Sequence, residues 1–306
     1  MSLRSVTEPN APAGYRLVKL ACGAHSVHSL THHETFHPVV GPVAEADALY
    51  IRQLGLVDRL RRHHGEFVLW DVGLGAAANP LTLLRAAHDV PASVRVVSFD
   101  HTLAPLEFAL RHTDCLPYLT GLEPHLRLLL DKRHATFQSG ALSVAWNVHL
   151  GDFPALLAQP AADALPKPHV VMFDPFSAAT NPAMWTLPLF ACLFRRLDPA
   201  RPCALPTYSR STMLRVTLLL AGFFVGAGHA TGEKEETTVA ANTLDLLAAP
   251  LDHRWLRRAR RSTSAEPLHE PAYRQAPLSA ESWGKLLRHP QFLGHPPARA
   301  VSYQAV

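Results

Sequence analysis

Long apolar runs are missing from this sequence, and no stretch approaches the roughly 20 residues that a membrane-spanning helix needs. Cysteine is scarce: Cys22, Cys115, Cys192 and Cys203 form no C-x-x-C pair and follow no regular spacing. That pattern argues against a thiolate metal site or a disulfide framework, and reads as reduced thiols of a cytoplasmic protein. Charged residues make up only 18%. The opening MSLRSVTEPNAPAGY lacks the apolar core of a signal peptide. No internal repeat is visible. What is plentiful is apolar content, at 48%, and proline, with 26 residues. A chain of 306 residues with that balance can bury one large core and stiffen its loops. A net charge of +4, with 19 histidines in reserve, permits an anionic partner without requiring one.

Period and turn signals divide the chain. Residues 1 to about 65 are His-rich and weakly periodic, apart from ALYIRQLGLVDRLRRHH (Ala48 to His64), which predicts one amphipathic helix. Then strands alternate with helices. FVLWDV is a short apolar strand, followed by a Gly turn and a helix from near Pro80. SVRVVSFD ends on Asp100, LSVAWNVHLGDF on Gly151-Asp152, and HVVMFD on Asp174. CALPTYS predicts a fifth strand, with Pro206 confined to a strand end or edge because it donates no ladder hydrogen bond. STMLRVTLLLAG is a helix stopped by Gly222, and FFVGAG with EETTVAA suggests a closing hairpin. From Ser262 the chain is Pro- and Arg-rich with weak period. This alternation predicts a doubly wound, mostly parallel α/β sheet, which binds ligands at the carboxyl ends of its strands.

Four motifs fall on that edge: Gly73 to Asn79, Asp100, Gly151-Asp152 and Asp174. In DVGLGAAANP, Gly73 and Gly75 allow a tight bend and close backbone approach to a ligand, and the following helix start can face an anion. A tight β-α turn without a ligand accounts for the same residues. Asp100 can accept both ribose hydroxyl hydrogens, and a solvated strand-end acid is the alternative there and at Asp152. HETFH (His33 to His37) matches the zinc-protease pattern H-E-x-x-H. That motif needs a helix, which Pro38 disfavours, so a loop over the site is expected and no metal. Arg210 and Arg215, after the fifth strand, can reach a phosphate, or lie solvated beside an N-cap. RWLRRARR (Arg254 to Arg261) suits an RNA backbone or a solvated helix face.

With these strings in view, the chain resembles the methyltransferase part of the MnmC family of tRNA wobble-uridine modification enzymes and its stand-alone relatives. The resemblance is carried by ETFHPVVGPVAEA, DVGLGAAANPLTLL, LGDFPALL, FDPFSAATNPAMWTLPLF, TYSRSTMLRVTLLLAGFFVGAG and GEKEETTVA. It implies a Rossmann-like class I fold dependent on S-adenosyl-L-methionine, with tRNA as partner and 5-aminomethyl-2-thiouridine at tRNA position 34 as acceptor. The resemblance runs from about His33 to Ala241; with the period and composition shifts it gives an N-terminal extension and lid or helix region over 1–65, a methyltransferase domain over 66–261, and a Pro/Arg-rich tail over 262–306 in which no FAD domain is expected. Gly73, Gly75, Asn79, Asp100, Gly151, Asp152 and Glu45 would hold the cofactor. Asp174 would orient the amine and Phe176 supply a ring, with Ser177, Arg210 and Lys234 towards substrate and Glu236 a weaker candidate. Trp185 is expected in the core. Two departures stand out: Pro175 where the family has Gly, and Ala76 to Ala78 in a turn that commonly reads GFGTGLN. An amine methyltransferase acting on a small molecule or protein, a nicotinamide oxidoreductase, and a non-catalytic relative are the alternatives.

Overall fold

A computed structural model describes residues 14–232 and 235–293. In chain order the elements are β1 (Tyr15–Lys19), β2 (His25–Ser29), β3 (Glu34–Thr35), α1 (Pro42–Ala46), α2 (Leu56–Arg62), β4 (Glu66–Val72), α3 (Ala78–Ala86), β5 (Ser93–Asp100), α4 (Ala104–Leu110), α5 (Glu123–Lys132), β6 (His134–Ser139), β7 (Leu142–Leu150), α6 (Phe153–Ala158), β8 (Val170–Phe173), α7 (Leu187–Arg196), β9 (Ala204–Thr207), α8 (Thr212–Ala221), β10 (Phe224–Gly228), β11 (Thr237–Ala241), α9 (His253–Arg261) and α10 (Ala280–Leu287).

The main sheet has the order β10-β11-β9-β8-β4-β5-β7-β6. Strands β9, β8, β4, β5 and β7 run parallel. The β10-β11 hairpin closes one edge and β6 the other, both antiparallel. Both faces are covered, as a parallel sheet requires. On β4, Phe67 and Leu69 point into one apolar layer and Val68, Trp70 and Val72 into the other. β8 repeats the division, with Val170 and Met172 on one side and Val171 and Phe173 on the other. Strands buried on both faces cannot alternate polar and apolar, which is why these segments read as continuous apolar runs. Strand order reverses between β4 and β8, and their carboxyl ends flank the crevice there.

Several expectations are refined. The helix expected over 48–64 is split: residues 47–52 wind as a π-helix, and Gly55, at φ 55°, breaks the ladder before α2. Pro206 sits inside the sheet, opposite Val239. Asn242 N donates to Cys203 O, so alternation makes Pro206–Val239 a pair without ladder bonds, its nitrogen facing β8. There β8 pairs with β9 only at Val170–Ala204, and the ladder goes no further on the edge where Pro206 has no N–H to donate. A second, three-stranded antiparallel sheet, β1-β2-β3, forms in the weakly periodic N-terminal region. Residues 263–293 fold against the core: Ala265, Leu268, Leu278, Leu286 and Phe292 are buried in the layer built by α7, α8 and α9. Among the described residues no helix is long and apolar enough to cross a membrane, and all four cysteines are free thiols.

Candidate active site

A cavity of about 420 Å³ opens at the carboxyl edge, bounded by the β4-α3 turn, the ends of β5 and β7, the loop after β8 and the β3 hairpin. At the β4-α3 turn Gly73 adopts φ 92°, and a Cβ there would lie 2.8 Å from the carbonyl oxygen of Asp174. Only glycine lets the two strand ends meet this closely. Gly75 N donates to Asp100 Oδ2 at 3.0 Å, so the acid that ends β5 also sets the turn. Burial raises the Asp100 pKa, against the backbone bond from Gly75. Ala77 occupies the left-handed region at φ 62°, where the related turn has glycine, and starts α3 from there. Gly151 lines the cavity, with its N–H bonded to Asp100 O. Asp152 is exposed and caps α6, accepting from Ala155 N at 3.1 Å, while its neighbours Gly151 and Phe153 reach the cavity.

The loop after β8 forms the facing wall. Asn79, buried in the first turn of α3, donates from Nδ2 to Asp174 Oδ2 at 2.8 Å. Its own Oδ1 is buried without a partner. Tyr208 donates to Pro175 O at 3.0 Å and Trp185 Nε1 to Phe176 O at 2.8 Å. Trp185 is therefore core, as expected, and also fixes the loop from beneath. Phe176 lies in the cavity with its ring stacked on His32 at 4.3 Å.

The HETFH segment covers the site as a strand and loop, which its weak helical prospects implied. Glu34 accepts from Ser177 N and from the hydroxyls of Ser177 and Thr180. Ser177, expected towards substrate, thus has both donors engaged within the protein. Phe36 lies over Gly75 and is anchored by its N–H to Val27 O and by Ser26 Oγ to its carbonyl. His37, at φ 48°, places Nε2 3.7 Å from Asp174 Oδ2 and Nδ1 4.0 Å from Glu45 Oε1. No metal-holding cluster of His, Cys, Asp or Glu occurs among the described residues.

Acid groups gather here. Asp71, on β4 beneath the turn, is fully buried; burial lifts its pKa to about 7, against the Ser98 hydrogen bond, with Asp174 and Asp100 adding to the rise. Tyr50 and Tyr208 are pushed well above the ordinary tyrosine value, first by burial and then by Asp174 and Glu45.

Arg210, Arg215 and Glu236 lie away from the cavity. Arg210 is exposed and pairs with Glu235 at 3.9 Å. Arg215 is only 2% exposed and cannot reach a phosphate: it donates to Glu236, Thr238 Oγ1 and Thr237 O, locking α8 to β11. Glu236 has this structural partner. Lys234 lies outside the described residues. Reading by residue type missed Glu34, Tyr50, Asp71 and Tyr208. Glu34 was signalled only by its place in HETFH and ETFHPVV, with no role of its own.

Residues 125–243 match a family model described as S-adenosyl-L-methionine-dependent methyltransferase. The bifunctional protein MnmC of tRNA 5-methylaminomethyl-2-thiouridine biosynthesis from Methylibium petroleiphilum is 27% identical over 229 residues, 72% of this chain and 34% of that protein. Its counterpart from Burkholderia mallei is 26% identical over 211 residues, 62% of this chain and 30% of that protein. The chain thus spans about a third of the length of the curated relatives it matches. The crystal structure of MNMC2 from Aquifex aeolicus aligns with a TM-score of 0.67 at 24% identity, covering 92% of this chain and 86% of that one.

The cofactor implied is S-adenosyl-L-methionine, and the residues present fit it. Gly73 and Gly75 line the cavity, Asp100 stands beside them to accept hydroxyls, and Asn79, with its Oδ1 unpartnered, lies in the same lining.

Proposed function

We propose that this S-adenosyl-L-methionine-dependent methyltransferase, of class I fold, N-methylates a primary amine, namely the aminomethyl group of 5-aminomethyl-2-thiouridine at the wobble position of tRNA. The observation that carries the reading is Asp174: its carboxylate is fixed by Asn79 at the mouth of the Gly73 turn, with the Phe176 ring two residues on in the same cavity.

When bound, S-adenosyl-L-methionine supplies an electrophilic methyl on a sulfonium. Gly73, Gly75, Asn79, Asp100, Gly151, Glu45 and, at the rim, Asp152 hold it. Asp174 accepts the amine hydrogens and aims the nitrogen lone pair, so much of the acceleration is positional. The Phe176 ring and the Asp174 charge stabilise the ammonium as it forms.

The tRNA part rests on the resemblance and on charge. Helix α9 exposes Arg254, Arg257, Arg258, Arg260 and Arg261, while its capping acid Asp252 is bonded to Trp255 N. Trp255, Leu256 and Ala259 of α9 are buried in the same apolar layer as Met213 and Leu214 at the start of α8. That arginine face suits a phosphate backbone.

Labelled cofactor and hypomodified tRNA test the reading. Label in the RNA, recovered as the methylaminomethyl nucleoside, is the expected result; an unlabelled RNA fraction rejects it. Pro175, in place of the family's Gly, reshapes the acceptor wall and supports a second reading, a small-molecule or protein amine. Methyl transfer without RNA would favour that one.

A further inference from the structure

An alkylamine is largely protonated near neutral pH, and its lone pair is free only after a proton leaves. A carboxylate is a weak base for that task. From the geometry around His37, and resting on the amine-methyltransferase reading above, we propose that His37 is the general base that deprotonates the acceptor ammonium, with Glu45 orienting its ring.

His37 follows β3, and its left-handed backbone, uncommon for a residue with a Cβ, turns the ring inward, where it is 10% exposed. The two ring nitrogens face two carboxylates from distant parts of the chain: Nε2 is 3.7 Å from Asp174 Oδ2, and Nδ1 is 4.0 Å from Glu45 Oε1. The first is the oxygen that Asn79 holds in place, so an amine gathered by Asp174 stands within reach of Nε2. Imidazole is the side chain suited to exchange a proton near neutral pH. The other ionisable groups around this cluster are Tyr50 from the π-helical turn, Tyr208 after β9, Glu34 and His33 on the hairpin, Asp71 below, and His32, which stacks on Phe176. Of the histidines that line the cavity, His37 is the one set between the Asp174 and Glu45 carboxylates, which compensate the charge it gains on accepting a proton.

The step balances. An N–H bond of the ammonium breaks and leaves its electron pair on nitrogen, while an Nε2–H bond forms. The freed pair then makes the N–C bond as the methyl–sulfur pair returns to sulfur. The imidazolium gives its proton to solvent before the next turnover.

The test is the pH–rate profile of the full chain with saturating cofactor and hypomodified tRNA. His37→Gln is expected to lose about 10²-fold in rate at pH 7 and to approach the parent rate near pH 9.5, where the free amine forms unaided. Its affinity for S-adenosylhomocysteine, by calorimetry, stays unchanged. A rate within threefold of the parent at pH 7, or an equal loss at every pH, overturns the proposal. If His37→Gln loses S-adenosylhomocysteine binding, Glu45→Gln decides, assayed at cofactor concentrations that saturate that variant by its own calorimetric Kd, because the imidazole stays and any weakening of the cofactor site is compensated. Displacement of its profile to alkaline pH supports the proposal, and an unmoved profile overturns it. A parent enzyme that methylates only a non-RNA amine, with the same contrast between parent and variant, rejects the tRNA reading and keeps the base.

Discussion

Along the cofactor wall, the contacts are short in sequence and made largely by backbone: Gly73 N bonds to Phe99 O, Gly75 N to Asp100, and Gly151 N to Asp100 O. The acceptor wall is assembled from side chains far apart. Asn79 reaches Asp174 across 95 residues, and Glu34 reaches Ser177 and Thr180 across 143 and 146. A wall made of backbone keeps its shape while side chains drift, so it preserves the cofactor. A wall made of side-chain contacts can be retuned one residue at a time, and Pro175 sits on that wall.

If the walls are separable, damage to one leaves the other intact. The largest effect is expected from Asp174→Ala: kcat falls roughly 10²–10³-fold, while calorimetry with S-adenosylhomocysteine gives an unchanged Kd. A parallel loss of cofactor affinity would break the comparison. Asp100→Ala is the converse. Losing a charged acceptor for two hydroxyls costs about 1.5–3 kcal/mol, a ten- to hundredfold weaker Kd, with kcat at saturating cofactor nearly unchanged. Glu34→Ala sharpens the contrast, because it removes the acceptor for three donors on the far wall. Steady-state kinetics should give about a tenfold fall in kcat/KM for the methyl acceptor and an unchanged cofactor KM. The smallest effect belongs to Ala77→Gly. Relieving a left-handed alanine is expected to add about 1 kcal/mol of stability and raise Tm by about 2 °C. A lowered Tm in a thermal melt would show that the Ala77 methyl contributes more by packing than its backbone costs.

The central strands and the closing hairpin were legible because their signals are local: apolar runs, bounded by turns, that end on an acid. Gly73, Gly75, Asp100 and Asp174 were legible for the same reason, since strand-end logic places them on one edge without knowledge of distant contacts. β6 was overlooked although its burial alternates residue by residue, because the short pattern HATFQS adjoins α5, whose fully buried stripe is only Leu126 and Leu129. The β1-β2-β3 sheet is built from segments such as HSVHS, with little apolar content to mark them. Ser177 and Arg215 were assigned outward roles that their residue types allow. Glu34 and Glu236 satisfy them internally, which only contacts across the fold reveal. α10 could not be read as core because its buried face completes a layer begun far earlier in the chain.

The commitments of the acceptor wall also determine what it selects. Ser177 N–H and hydroxyl, Thr180 hydroxyl, Trp185 Nε1, Tyr208 hydroxyl and Asn79 Nδ2 all donate inward, to Glu34, Phe176 O, Pro175 O and Asp174. What is turned to the cavity is the Asp174 carboxylate and the Phe176 ring, with the His37 imidazole beside them. Such a surface has a hydrogen-bond polarity: it is complementary to guests that bring hydrogens and indifferent to those that only accept them. On the proposed amine reading, the Asp174 carboxylate is the partner for the hydrogens an amine brings. Selection among nucleophiles then rests on the donors that this loop commits inward.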